Sequence, residues 1–350
     1  MIALHYIKMH LTYQETIDSN SFVSINIDLG RKYKMTEYNP ELLFDVTKDI
    51  ITYNYCNSVN NISYNNSNST IKLNREASTP YLYFTEISRI PYIKHGFSTR
   101  LGGESKGVFH SLNLSFSRGD DEECVKSNYD RLLDSLELSK TSLVFSDQVH
   151  DTKIYQVVKD DPCITNCYEK HLTGVDGLIT NVPNVTLITS YADCVPLFFV
   201  DPVHKAIGLS HSGWKGTVSK IGQKTLEAMK NAYGTKPQDV ICAIGPSICF
   251  DCYEISVDVA NEFKKAFSKE VTDKILFKKN EEKYQLDLWL ANQEILKEAL
   301  VLPENIVNSN LCTCCNSTLL FSHRASKGQR GNLAAFLSLS TKEDSNKEAL

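Results

Sequence analysis

Apolar and polar positions along this chain fall into short periodic stretches separated by breaks. Val23, Ile25, Ile27 and Leu29 alternate with Ser24, Asn26 and Asp28, the period of a half-buried strand. Residues 51–70 break the pattern. They contain seven Asn and four Ser, too little apolar surface to pack, and read as a flexible linker. A boundary is therefore placed near residue 80. It separates an N-terminal extension, 1–80, from a main domain, 81–340, with a polar tail at 341–350.

The main domain reads as alternating helices and strands. Residues 120–138 fit a helix that Asp120 or Asp121 can cap, with Val125, Tyr129, Leu132, Leu133 and Leu136 on one face. VTLITSY at 185–191, LFFV at 197–200, AIGLS at 206–210 and VICAIG at 240–245 read as strands. Residues 217–233 read as a helix with Val218, Ile221, Thr225, Ala228 and Ala232 inward, stopped at Gly234. Ser256 can cap a helix carrying Val259, Phe263 and Phe267, and Asp287 one that runs to Leu300. This order fits an α/β or α+β domain. No G-x-G-x-x-G or G-x-x-x-x-G-K-[ST] motif is present, which argues against the common nucleotide-binding folds.

Composition narrows the function classes. With 350 residues, 42% of them apolar, the chain can form one large domain plus an appendage, or two modest ones. Its 37 Lys and Arg against 42 Asp and Glu give a net charge of −5, the wrong sign for a nucleic-acid polymer as partner. No run approaches the ~20 apolar residues that span a bilayer, so no membrane partner is expected. MIALHYIKMHLTYQ lacks the apolar core of a signal peptide. The eleven cysteines, an odd number, then read as free thiols in a reducing compartment, and the expected location is cytoplasmic. Asn61-Ile-Ser and Asn68-Ser-Thr are treated as chance glycosylation matches.

Candidate chemistry concentrates at 143–216. His150 ends SDQVH, Cys194 sits in YADCVP and His211 opens HSGWKG. Two of the three follow strands, so a sheet rim can gather them. Two imidazoles and a thiolate suit one zinc ion, with copper a possible substitute, and three protein ligands leave a fourth position open for catalysis. Asp193 is a candidate proton carrier beside that site. Arg100, backed by Gly102 and Gly103, is a candidate anion contact, as is Arg324 in a loop with Lys327 and Arg330. Ser247 lies past a buried strand, where ligands often bind in α/β sheets. A competing metal site is conceivable at Cys249-x-x-Cys252 and Cys312-x-x-Cys315. The long gap between the pairs and the extra thiol of Cys314 favour packed free thiols there instead.

The motifs HGFSTRLGG (95–103), LNLSF (112–116), QVH (148–150), GVDGLIT (174–180), YADCVP (191–196), HSGWKG (211–216), GPSICFDCYEI (245–255), LDLWLAN (286–292) and CTCCNSTLLFSHR (312–324) occur in this order. Together, over roughly residues 82–340, they resemble the laccase-domain family, once called multicopper polyphenol oxidases and now regarded as purine nucleoside phosphorylases. The resemblance implies an α+β fold, a four-layer α/β/β/α sandwich, here with an N-terminal extension. It implies metal ligation by His150, Cys194 and His211. It also implies phosphorolysis of adenosine, inosine, guanosine and S-methyl-5′-thioadenosine, with adenosine deamination at the same site. Purine nucleosides and inorganic phosphate are thus the expected partners. Asn113 and Gln148 join Ser247 and Arg324 as candidate substrate contacts, with Arg100 and Asp193 catalytic. A monomer or homodimer is expected. Ser212 and Lys215 stand where Ala and Arg are frequent in the family, and His323 where Tyr is common.

Two rivals remain open. A copper-dependent polyphenol oxidase needs many imidazoles, but the nine His form no His-x-His pair, and the four Met offer no evident axial ligand beside Cys194. A metal-free hydrolase would use Cys194 as nucleophile and His211 as base.

Overall fold

The computed structural model describes residues 70–341 except 167, 169 and 170. The strand expected at 23–29, nearly all of the linker at 51–70 and the tail beyond Thr341 lie outside the described residues.

Two six-stranded sheets form the body. The first runs Ile71–Asn74, Tyr81–Phe84, Ile93–Ser98, Leu333–Leu339, Thr186–Tyr191, Leu143–Phe145. The second runs Ile306–Asn308, Ile241–Ile244, Val195–Asp201, Ala206–Ser212, Gly177–Thr180, Ile154–Val157. Period-two patterning explains how they stack. In Leu333–Leu339, the residues Leu333, Ala335, Leu337 and Leu339 enter the core between the sheets, while Ala334 and Phe336 face outward into a separate cluster. In Val195–Asp201, Phe198 and Val200 face the inter-sheet core, while Val195, Leu197 and Phe199 face the helices on the far side. Because both faces of Val195–Asp201, Ala206–Ser212 and Leu333–Leu339 are buried, these strands read as largely apolar runs rather than as clean alternation.

Helix Glu122–Ser135 covers the outer face of the first sheet through Val125, Tyr129, Leu132 and Leu133, which pack with Phe145, Ile188 and Phe336. The Asp121 side chain caps it, accepting from the backbone N–H groups of Glu123 and Cys124. Helices Ile221–Tyr233, Val257–Ala266, Lys269–Ile275 and Leu288–Glu298 cover the outer face of the second sheet. The result is the four-layer α/β/β/α sandwich that the sequence motifs implied, with a small three-stranded sheet, Glu254–Ser256, Lys283–Leu286 and Leu276–Lys278, beside it.

Three expectations need correction. Residues 71–84 belong to the first sheet, not to an extension ending at 80. Ile71–Asn74 pairs antiparallel with Tyr81–Phe84, and Ile71, Leu82 and Phe84 are core residues. Polar neighbours such as Lys72 and Asn74 hide this short edge strand in the sequence. The helix expected at 217–233 is two helices, Trp214–Val218 and Ile221–Tyr233, divided where Lys220 turns left-handed at φ 57°. The helix after Asp287 stops at Glu298 rather than running to Leu300, whose φ is 70°. The stop at Gly234 holds, with φ 76°.

Candidate metal centre

The site forms where the chain passes between the two sheets. Leu143–Phe145 belongs to the first sheet and Ile154–Val157 to the second, and His150 lies in the crossing between them. Thr186–Tyr191 and Val195–Asp201 make a second crossing, which carries Cys194. His211 lies near the end of Ala206–Ser212, paired across the ladder with Pro196. Both crossings are tight: His150 has φ 65° and Asp193 φ 87°, in the left-handed region that non-glycine residues occupy only under local constraint.

His150, Cys194 and His211 each offer one donor atom, and the three donors lie within 4.8 Å of one another. The Cys194 Sγ is 4.0 Å from His150 Nε2, and the two imidazoles meet edge to face at 4.8 Å between centroids. A tetrahedral zinc with Zn–S of about 2.3 Å and Zn–N of about 2.0 Å spaces such donors by about 3.5 Å. The observed spacing needs only a small side-chain adjustment to close around an ion. His211 is buried, Cys194 half-buried and His150 exposed, so the centre is open on the His150 side. Gly213 permits the approach of the next loop. A Cβ there would lie 3.0 Å from His150 Cδ2 and 3.2 Å from Cys194 Sγ.

Asp176 organises the ligands, and the sequence reading missed it. It is fully buried. One oxygen, Oδ1, accepts from His211 Nδ1 at 2.8 Å and from the His150 backbone N–H at 3.0 Å. The other, Oδ2, accepts from the backbone N–H groups of Val149 and Asp151. The carboxylate thus fixes the His211 tautomer that leaves Nε2 for a metal, the usual arrangement behind a ligating histidine. Burial alone would raise the Asp176 carboxyl, but the bonds from His211, Asp151 and Val149 outweigh it and hold the group below the usual carboxylate range. The signal was present in GVDGLIT, where a carboxylate interrupts an otherwise apolar strand start.

Electrostatics at the three donors favours a cation. Burial opposes the Cys194 thiolate, yet His211 and His150 beside it draw the thiol down to about 6. Burial likewise opposes the His211 imidazolium, but the Cys194 thiolate and Asp176 lift it to about 9. Between thiolate and imidazole a positive charge is held, whether proton or metal.

The other sequence candidates divide. Arg100 lines a cavity of ≈ 150 Å³ together with Phe321, Ser322, Gln329 and Arg330. Its guanidinium lies 4.6 Å over the Phe321 ring and donates to the carbonyls of His110 and Ser317. An adjoining cavity of ≈ 340 Å³ is lined by Arg118, Gly328, Gln329 and Arg330. Burial lowers the Arg330 guanidinium to about 10, with Arg118 adding to the effect, while the charges of Asp193 and Cys194 partly restore it. The turn before Cys194 is tied to the wall of the first cavity through the Arg324 backbone N–H, which donates to Asp193, while the adjacent Ala325 lines that cavity. The buried Nε–H of Arg330 has no acceptor among the described residues.

By contrast, Arg324 turns away from both cavities. Its guanidinium donates to the carbonyls of Cys252 and Glu254 and lies over Tyr253. Asn113 and Ser247, expected as substrate contacts, are both fully buried. The Asn113 amide is spent on Ser115, Asp120 and Asn332. Ser247 donates to the Gly245 carbonyl and accepts from Trp289 Nε1 at 2.6 Å. Gln148 pairs both ends of its amide with the Ser190 backbone. The side-chain polar groups of all three are thus already engaged by protein partners in this structure. Both oxygens of Asp193 are also engaged, by Thr313 Oγ1 at 2.6 Å and the Arg324 backbone N–H at 2.7 Å.

Fold and site define a two-sheet sandwich domain with a three-donor candidate metal centre at one rim and a separate cleft lined by Arg100, Arg118 and Arg330. The chain belongs to the multi-copper polyphenol oxidoreductase laccase family, whose model matches residues 94–340. Among similar proteins, the purine nucleoside phosphorylase YlmD of Bacillus subtilis is 35% identical over 245 residues, covering 70% of this chain and 87% of the relative. A purine nucleoside phosphorylase of Deinococcus radiodurans is 34% identical over 257 residues, covering 73% of this chain and 93% of its own length. The crystal structure of YlmD from Geobacillus stearothermophilus superposes with a TM-score of 0.71 at 33% identity, covering 77% of this chain and 99% of that one. Among the described residues no helix is long and apolar enough to cross a membrane.

Proposed function

We propose that the chain is a zinc-dependent purine nucleoside phosphorylase of the cytoplasm. It acts on adenosine, inosine, guanosine and S-methyl-5′-thioadenosine, and deaminates adenosine at the same centre. The observation that carries this reading is the pairing of an open His150–Cys194–His211 centre with a cleft lined by Arg100, Arg118 and Arg330. The first suits an electron-rich base or sugar oxygen, the second an inorganic oxyanion. The names of the relatives support the same reaction class.

In phosphorolysis a phosphate oxygen bonds to the anomeric carbon as the bond from that carbon to the purine nitrogen breaks. The purine departs with the electron pair. A zinc ion held by the three donors supplies a Lewis acid for charge developing on the substrate. The protein's own groups do the rest. Arg100, Arg118 and Arg330 collect the phosphate, and the free Arg330 Nε–H supplies a donor already desolvated for it. Phe321, under Arg100, gives the cavity an apolar wall. We assign Asp193 to positioning rather than to proton transfer, since Thr313 and Arg324 occupy both its oxygens and fix the turn before Cys194. Adenosine deamination needs the same centre and water, but no phosphate.

This division makes a prediction. Arg330→Gln removes a charge-assisted bond worth about 1.5–3 kcal/mol. It raises the KM for phosphate roughly ten- to a hundredfold while leaving deamination near its starting rate. Steady-state kinetics of both reactions on one preparation check it; equal loss of both activities places Arg330 in the scaffold.

The family's descriptive name supplies the competing reading, oxidation of phenols. Among the described residues, the groups that could hold a metal are this centre and one cysteine cluster, with two histidines between them, where coupled copper oxidation needs many imidazoles. The decisive comparison is oxygen uptake with a phenol against base release from adenosine in phosphate. Base release without oxygen uptake is expected; the reverse would replace the proposal with an oxidase.

A further inference from the structure

The two C-x-x-C pairs, distant in sequence, meet in space. Cys249, Cys252, Cys312 and Cys315 place their sulfurs within 4.8 Å of one another. Cys315 Sγ lies 3.9 Å from Cys249 Sγ and 3.4 Å from Cys252 Sγ. These distances are too long for a disulfide, whose sulfurs are about 2.05 Å apart. They fit a shared ion: four sulfurs held at about 2.3 Å in a tetrahedron lie about 3.8 Å from each other. Ordinary packing does not explain them. A buried thiol normally packs as a small hydrophobe against carbon, whereas here four thiols point at one another.

The surrounding backbone supports thiolate. Cys312 Sγ accepts backbone N–H groups from Cys249 at 3.3 Å and from Cys315 at 3.4 Å. Such donors stabilise a ligating sulfur and orient it. The first pair is wound into a tight turn, with the N–H groups of Cys252 and Tyr253 both donating to the Cys249 carbonyl. Cys249 and Cys312 are buried, Cys252 is half-buried and Cys315 exposed, so the cluster sits just under the surface. Cys314, the extra thiol that counted against this site in the sequence, is not one of the four mutually close sulfurs, although it neighbours Cys252.

We propose that these four cysteines bind a second, structural zinc ion in a closed four-sulfur site. Four protein ligands leave no position for substrate, unlike the three-donor centre. Its role follows from what the two cysteine loops hold. Ile248, beside Cys249, donates its N–H to the Asp193 carbonyl at 3.0 Å. Thr313, beside Cys312, donates its hydroxyl to the Asp193 carboxylate. The Cys252 carbonyl anchors the Arg324 guanidinium, whose backbone N–H holds the other Asp193 oxygen. A zinc joining the loops therefore clamps the wall that positions the turn carrying Cys194, without touching the substrate.

The test uses the purified full chain, with zinc measured by inductively coupled plasma mass spectrometry. Two zinc ions per chain are expected, falling to one in Cys252→Ser/Cys315→Ser and to one in Cys194→Ser. X-ray absorption on Cys194→Ser then reads the coordination of the remaining zinc, expected as four sulfurs. That spectrum decides the matter even if the double variant fails to fold. A single zinc in the unmodified chain that disappears in Cys194→Ser would overturn the proposal. So would iron at the cysteine cluster, or a Cys252–Cys315 disulfide found by mass spectrometry of the unreduced protein. The sulfur coordination of the zinc left in Cys194→Ser and the zinc lost in Cys252→Ser/Cys315→Ser report on the cysteine cluster alone, whereas the zinc lost in Cys194→Ser reports on the three-donor centre.

Discussion

Replacing Cys194 by serine removes the metal from the rim centre and lowers base release by more than about a hundredfold, because the loss of a ligand exceeds the ten- to hundredfold typical of an outer partner. A thiolate is a strong zinc ligand near neutral pH, and here two imidazoles draw the thiol down to about 6. A serine hydroxyl is far less acidic and binds zinc weakly. What remains is His150, exposed, and His211, buried, too few donors to retain an ion against buffer. The substitution is nearly isosteric, so the fold survives and the melting temperature changes little. Under the proposed function, phosphorolysis and deamination are expected to fall together. Metal analysis, melting curves and both assays on one preparation check this. Activity that persists without the metal but is abolished by thiol alkylation in the unmodified chain would instead make Cys194 a nucleophile.

Asp176→Asn separates ligand orientation from ligation itself. The carboxylate is fully buried and accepts four hydrogen bonds, three from backbone N–H groups and one from His211. An amide of the same shape keeps one acceptor oxygen but turns an NH2 toward donors. It leaves buried N–H groups unsatisfied, at about 1–3 kcal/mol each, and frees the His211 ring to adopt the other tautomer. Zinc affinity is expected to fall roughly ten- to a hundredfold, measured by competition with a chromophoric chelator, together with a lowered melting temperature. If melting falls while zinc affinity is unchanged, Asp176 only braces the loop.

The legibility of this molecule in its sequence depends on the range of the interaction concerned. Local signals carried through: Asp121 caps its helix, Gly234 ends another, and Val125, Tyr129, Leu132 and Leu133 turn inward as their spacing requires. The three candidate donors, which the fold brings within 4.8 Å of one another, stood out because imidazole and thiolate at strand ends are chemically conspicuous. The edge strand Ile71–Asn74 was not, because four residues give too short a period to stand out beside an Asn-rich stretch. Nor was the role of Asn113 or Ser247, since burial is decided by partners far along the chain: Asn332 bonds the one and Trp289 the other. That the two cysteine pairs meet in space was not legible for the same reason. Their separation in sequence argued against a shared site, yet Ser247 bridges to Cys312 and Ile241–Ile244 runs parallel to Ile306–Asn308. That pairing carries both loops to the same end of the second sheet.

The most direct test of phosphorolysis at this centre is the identity of the sugar product. The purified full chain is incubated with inosine in phosphate, and the reaction is followed by phosphorus-31 NMR and by chromatography of the base. Hypoxanthine and ribose 1-phosphate are expected in equal amounts, with neither formed when phosphate is omitted. Hypoxanthine accompanied by free ribose, at a rate independent of phosphate, would contradict a phosphorylase and show a hydrolase.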